Sequence, residues 1–169
     1  IVIIPIVATL IVGFAFIFII GAPISSLMDG LYDMLQNMSG GNLILLGIVM
    51  GLMQGFDMGG PFGKTLLMFS IALMAEGQNQ FMGAQAMAIP VAPLGMAIAT
   101  FVDRRGKFFN KEEKASGKAA LVMGLCGISE GAIPFAAADP IAVIPENMIG
   151  SAVAAVLSLL FVITDQQVK

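Results

Sequence analysis

Histidine and tryptophan are absent from this chain, and cysteine occurs once, as Cys126. Without His the chain lacks the commonest general base and a common acceptor of a relayed phosphoryl group. A single Cys forms no internal disulfide, and Cys/His metal centres are excluded with it, so neither metal nor cofactor is expected. Charge is scarce as well. Asp, Glu, Lys and Arg make up 11% of the residues, where a soluble domain carries about 25%. The net charge of −3 argues against nucleic acid as a main partner.

What fills the chain instead is apolar. Of the 169 residues, 58% are hydrophobic, and the mean hydropathy is +0.95. A soluble core of this length could not bury so much apolar surface, and the same numbers exclude disorder. The expected class is an all-α, polytopic integral membrane protein with broken or re-entrant helices. The chain begins at Ile1, with no initiator Met and no basic signal-peptide region, so it reads as a piece of a larger hydrophobic protein.

Residues 1–28, 34–56, 77–102 and 147–164 carry no charge and are long enough to cross about 30 Å of hydrocarbon. The shorter apolar runs 65–75 and 119–129 fit half-helices or re-entrant segments. Six of the eight Lys and Arg residues fall within 103–118, which predicts a cytoplasmic basic loop. The stretch 25–42 holds Asp29 and Asp33 without a basic residue and reads as the outer face. Counting back from the basic loop, 82–102 runs inward, 65–76 outward, 43–56 inward and 4–24 outward. Lys64 then lies inside and 76–80 outside, an order that fails if 52–76 is a re-entrant hairpin. Phe108 and Phe109 give the basic loop an amphipathic character, suited to fixing topology, to the membrane surface or to docking a cytosolic partner.

Gly47, Gly51 and Gly55 recur at a helical spacing of four. Such a face lets helices approach closely in lipid, within one chain or across a homodimer. The thirteen Met residues read as adaptable packing. Cys126 has no basic neighbour in sequence and reads as a small packing residue.

The informative residues are acids in apolar surroundings, where they are expensive: Asp57, Glu76, Glu130 and Asp139. Two of them occupy matching frames. MGLMQGFDMGGPF (50–62) and MGLCGISEGAIPF (123–135) share Met-Gly-Leu, an acid five positions later, and Pro-Phe four positions after that. Asp57 is thus equivalent to Glu130, and Pro61 to Pro134. In each frame a half-helix runs into Gly and Pro, which break it and free backbone groups. A carboxylate at such a break can accept several hydroxyl hydrogen bonds, as a polyol site requires. With the first segment running inward and the second outward, the pattern predicts an inverted repeat around a central site. Glu76 reads as a solvated loop residue. Lys64 either pairs with Asp57 or snorkels to the interface. Pro140 and Pro145 predict an interrupted helix, and Asp139 is favoured as the cap of a helix starting at Pro140.

GISEGAIPFAAADPIAVIP (127–145) resembles the signature of the fructose-type membrane permease, enzyme IIC, of the bacterial sugar phosphotransferase system. DMGGP with Lys64 (57–64) looks like a second motif of that family. VAPLGMAIAT followed by a basic loop and KAALVMG (91–124) looks like a third. Ser129 stands where Thr is usual, and Gly63 where Asn is common. The resemblance implies that 1–169 is the carboxy-terminal part of a permease domain, with 119–146 a re-entrant sugar-site segment. It implies Glu130, Ser129, Gly131, Asp57, Gly59 and Lys64 as substrate-binding positions, Glu130 facing the hydroxyl that receives the phosphoryl group. It implies a multi-pass protein of the bacterial inner membrane that moves a sugar, fructose by default. IIB and IIA domains or proteins act as phosphotransfer partners, and the chain itself carries no phosphorylated residue. The alternative is an ion-coupled secondary transporter using Asp57 and Glu130 as coupling sites.

Overall fold

The computed structural model describes residues 3–15, 18, 21–39, 41–103 and 105–167. Arg104 of the basic stretch lies outside the described residues. Nine α-helices and no strands occur among the described residues. They are α1 Ile3–Ala15, α2 Gly21–Ser39, α3 Leu43–Asp57, α4 Pro61–Ala75, α5 Gln80–Ala88, α6 Val91–Val102, α7 Lys111–Leu125, α8 Ile133–Ala138 and α9 Pro140–Gln167. A 3₁₀ turn, Ser129–Ala132, precedes α8. Among the described residues, two stretches are long and apolar enough to cross a membrane: Gln80–Val102, which joins α5 to α6, and Pro140–Phe161 in α9.

The glycine spacing in α3 sets the central packing. A methyl group on Gly47 would meet Val156 and Leu159, one on Gly51 would stand 2.2 Å from the Ala152 Cα, and one on Gly55 would meet Asn147 and Met148. Side chains are therefore excluded along this face, and α3 lies backbone to backbone against α9, running antiparallel to it. The face is used within the chain. On the other side of α9, Ser151 Oγ donates to the Ala88 carbonyl at 3.2 Å, tying it to α5.

Two hairpins enter this frame from opposite ends. The first is α3 and α4, each 15 residues or about 22 Å long. Its open end, near Leu46 and Leu73, packs with Phe69, Phe81 and Leu159 in one buried cluster. Its tip, Met58–Gly60, is flanked by the edge-to-face rings of Phe56 and Phe62. The second hairpin runs up α7 and back through the 3₁₀ turn and α8. Its open end lies at the basic loop, where the Phe109 and Phe135 rings stand 6.1 Å apart, edge to face. Gly117 packs against Thr100 and Gly124 against Leu94, so α7 runs antiparallel to α6. A second buried cluster, including Met58, Met96, Ala120, Ala132 and Val143, joins the two hairpins beside α9.

Several sequence expectations change. Asp29 and Asp33 are not in a loop: both are exposed on α2, where their spacing of four puts them on one face, while Leu35 turns inward. The first α3–α4 turn stops at the level of Asn147, so Lys64 does not reach the basic end. The basic stretch is a loop only as far as Asn110. From Lys111 it is helical, because the Asn110 side chain accepts from Glu112 and Glu113 N–H while Glu113 accepts from Asn110 N–H. Pro145 does not interrupt α9. It stands inside the helix and lacks the N–H that would donate to the Ile141 carbonyl, and α9 continues across that one missing bond. Asp139 Oδ1 accepts from Ala142 N–H at 3.2 Å and does cap that helix. Cys126 is exposed rather than packed, because α7 ends there.

Candidate functional site

The tips of the two hairpins meet. Gly59 has φ +101°, a conformation open to glycine, and turns the chain so that its α-carbon faces the second hairpin. A methyl group there would lie 2.8 Å from Ser129 Oγ and 3.0 Å from Glu130 Oε1. Met58 beside it is also left-handed, with φ 48°. Its sulfur accepts from Asn147 Nδ2 at 3.5 Å, which pins the strained residue to α9.

The two acids of the repeat are equivalent in sequence but not in duty. Asp57 closes α3 and is spent on backbone. Its Oδ2 accepts from Phe62 N–H at 2.6 Å and its Oδ1 from Gly63 N–H at 3.2 Å, satisfying the first turn of α4 across the tip. Pro61, at the start of α4, needs no such partner. Glu130 is exposed at the junction, and no hydrogen bond to its carboxylate occurs among the described residues. Its acceptor capacity remains open for a ligand.

Ser129, directly before Glu130, is 4% exposed, and its Oγ lies 3.5 Å from Gln54 Nε2. Gly131 is buried with Met123, Pro93 and Ala120 within 3.2 Å of a notional Cβ, so it serves close packing of the turn on α6 and α7. Lys64 is exposed on α4 and, among the described residues, forms no ion pair with Asp57. It borders a hollow of about 460 Å³ with Gly60, Pro61, Thr65 and Met68. The structure thus brings together Gly59, Ser129 and Glu130, with Asp57 behind them and Lys64 to one side.

Sequence reasoning passed over three buried amides at this level, Gln54, Gln85 and Asn147. Gln85 Nε2 donates to the Gly63 carbonyl at 3.2 Å. The signal was present, since each is a polar residue inside a charge-free run. Among the described residues no group of three His, Cys, Asp or Glu side chains is arranged to hold a metal.

A larger cleft of about 950 Å³ opens at the basic end, between α6, the loop, α8 and α9. Arg105, Lys107, Phe109, Glu113, Asp139 and Glu146 line it, and neither Asp57 nor Glu130 does. Its wall is stiffened by Asp103, whose carboxylate accepts from Lys107, Phe108 and Phe109 N–H at 3.0 to 3.1 Å. Lys114 Nζ stands 3.7 Å from the same group and also donates to the Asp103 carbonyl. These contacts, the Phe109 N–H above all, pull the Asp103 pKa down to about 2 against burial, which raises it.

Residues 1–150 match the family "Phosphotransferase system, EIIC". The chain is 48% identical over 161 residues to the PTS system fructose-specific EIIB'BC component of Vibrio cholerae, covering 95% of this chain and 27% of that protein. It is 46% identical over 158 residues to the fructose-like permease IIC component 2 of Escherichia coli, covering 94% of this chain and 44% of that one. Similarity reaches the PTS system fructose-specific EIIC component of Haloferax volcanii, at 40% identity over 92% of this chain and 41% of the relative. The chain therefore spans less than half the length of these relatives. No solved structure matches it. A match over most of the chain, with motifs that meet at the hairpin tips, makes this chain a member of the phosphotransferase system EIIC family.

Proposed function

We propose that the chain is the sugar-handling part of an EIIC permease, which binds fructose at the hairpin tips and carries it across the bacterial inner membrane for phosphorylation by a IIB partner. The observation that supports this most directly is the exposed, uncommitted Glu130 carboxylate at the meeting point of two broken-helix hairpins, beside Gly59 and Ser129. Broken backbone at membrane depth is tolerated where it lines a cavity, and inverted elements around such a point suit alternating access. The fructose-specific names of the relatives favour this reading over ion coupling. The fused EIIB'BC relatives favour a IIB partner, with IIA upstream of it.

In this reading the basic end faces the cytoplasm. Asn147, level with the tips, is seven residues along α9 from Pro140, or about 10 Å from that end. The sugar thus waits closer to the face where its phosphoryl donor would arrive. Glu130 accepts hydrogen bonds from sugar hydroxyls, orienting the reacting one and assisting removal of its proton. Ser129 supplies a hydroxyl beside it. Asp57 and Gly59 build the opposing tip, and Lys64 lies at the edge of the adjacent hollow.

The test is uptake of labelled fructose by membrane vesicles carrying the complete permease, its IIB partner, phosphoenolpyruvate and the general phosphotransfer proteins. At matched protein levels, Glu130→Gln and Glu130→Ala are expected to lower fructose phosphate formation by roughly ten- to a hundredfold, the worth of a hydrogen bond to a charged group. Undiminished formation in both variants would remove Glu130 from the site. Free fructose accumulating on an ion gradient alone would replace group translocation with ion coupling.

A further inference from the structure

Gln54 is 3% exposed, in the last turn of a helix that is apolar up to that point. Burying an amide there is unfavourable unless it is partnered. Its partner is not in its own hairpin. The side-chain Nε2 reaches across to Ser129 Oγ at 3.5 Å, the long limit of a hydrogen bond. The amide oxygen lies over Gly63, 3.1 Å from where a Cβ would stand, on the helix that Asp57 caps. Ser129 is enclosed from the other side by Gly59, whose missing side chain leaves room for the hydroxyl.

The direction of this bond has a chemical consequence. An amide N–H donates, so Ser129 Oγ accepts from Gln54, and its own O–H is left to donate elsewhere. Glu130 Oε1 borders the same Gly59 position, 3.0 Å from its notional Cβ against 2.8 Å for Ser129 Oγ, and no hydrogen bond joins the two side chains among the described residues. We propose that Gln54 is a positioning residue: through Ser129 it fixes the hydroxyl as a donor beside Glu130, and so sets the affinity of the tip junction for a polyol. Gln85, donating to the Gly63 carbonyl at 3.2 Å, holds the first turn of α4 against which the Gln54 amide rests.

This inference rests on the tips being the sugar site, and the experiment separates the two. The complete permease is purified, and binding and phosphorylation of labelled fructose are measured for Gln54→Met, Gln54→Glu, Ser129→Ala, Gln54→Met with Ser129→Ala, and Glu130→Gln. Gln54→Met keeps the volume and removes the donor. It is expected to raise Kd and KM about tenfold, with the rate at saturating fructose within about twofold, because an accepted sugar still meets Glu130. Gln54→Glu is expected to do at least as much harm, since a carboxylate would take the Ser129 proton for itself. The Ser129→Ala effect and the Gln54→Met effect should overlap in the double variant rather than multiply. Wild-type Kd in Gln54→Met, or independent effects in the double variant, overturns the role of Gln54 while leaving the site intact. Earlier melting of Gln54→Met with unchanged Kd overturns that role equally. Glu130→Gln with unchanged Kd and unchanged phosphorylation overturns the site itself, and the inference with it.

Discussion

Gly59 and Glu130 touch across the junction of two hairpins, with room between them for a hydrogen and not for a methyl group: an added Cβ would stand 3.0 Å from Oε1 and 2.8 Å from Ser129 Oγ. Gly59→Ala therefore combines a left-handed backbone penalty of about 1–2 kcal/mol with displacement of Ser129 and Glu130. The expected outcome is a KM for fructose raised at least tenfold in a permease that still reaches the membrane. An unchanged KM would mean that the tips are free to separate around the methyl group.

Asp57 is expected to matter for folding before it matters for sugar. Asp57→Ala removes both acceptors from the first turn of α4 and should cost roughly 1–2 kcal/mol, seen as earlier thermal unfolding of the purified permease. Asp57→Asn keeps one acceptor oxygen and should recover part of the loss. If Asp57→Asn unfolds like wild type yet binds no fructose, the carboxylate touches the sugar after all.

The α3–α9 contact predicts a size threshold. A Cβ on Gly51 would stand 2.2 Å from backbone at Ala152, whereas one on Gly83 finds nothing closer than Ser158 Oγ at 3.8 Å. Gly51→Val should lower the yield of monodisperse permease severely, overpacking alone costing about 1–3 kcal/mol, and Gly83→Ala should be tolerated. Equal yields would show that the two helices can part.

The Asp103 cluster predicts a response to acid. Its pKa falls from the ordinary 3.8 to about 2 in the folded chain, so the folded state prefers the ionised form. The stabilisation is complete above about pH 4 and is lost as pH falls toward 2. Asp103→Asn should behave at neutral pH as the acidified protein does, with roughly tenfold faster hydrogen exchange at the Lys107, Phe108 and Phe109 amides. Exchange at those amides that is indifferent to the substitution would mean other contacts hold the loop.

Much of the candidate site was legible because charge in an apolar run is conspicuous. Asp57 and Glu130, with Pro61 and Pro134 after them, marked both breaks, and the structure puts the Glu130 turn against the tip that Asp57 closes. The differing duties of the two acids were not legible, because which backbone N–H groups lie within reach depends on the fold of the tip. Gln54, Gln85 and Asn147 were missed for a related reason: an uncharged amide leaves a charge-free run unbroken, although burial makes it costly. The start of α7 inside a charged stretch was also hidden, since charge suggests a loop while Asn110 and Glu113 form a helix cap there. Composition favoured a break at Pro145, but a proline in an early turn removes only one bond from a long helix.

In the permease proposed above, the tip-to-tip arrangement would also set how thick the permeability barrier is. A helix crossing the bilayer insulates over roughly 30 Å of hydrocarbon, but α3 halts at Asp57 and α7 at Leu125, each after 15 residues or about 22 Å. Where their turns abut, the septum would be one layer of loop, with Met58 and Gly59 on one side and Ser129 and Glu130 on the other. Most of any voltage or concentration difference would then drop across those few residues, and a shift of a few ångströms in either tip, rather than a tilt of whole helices, would be enough to change which compartment they face.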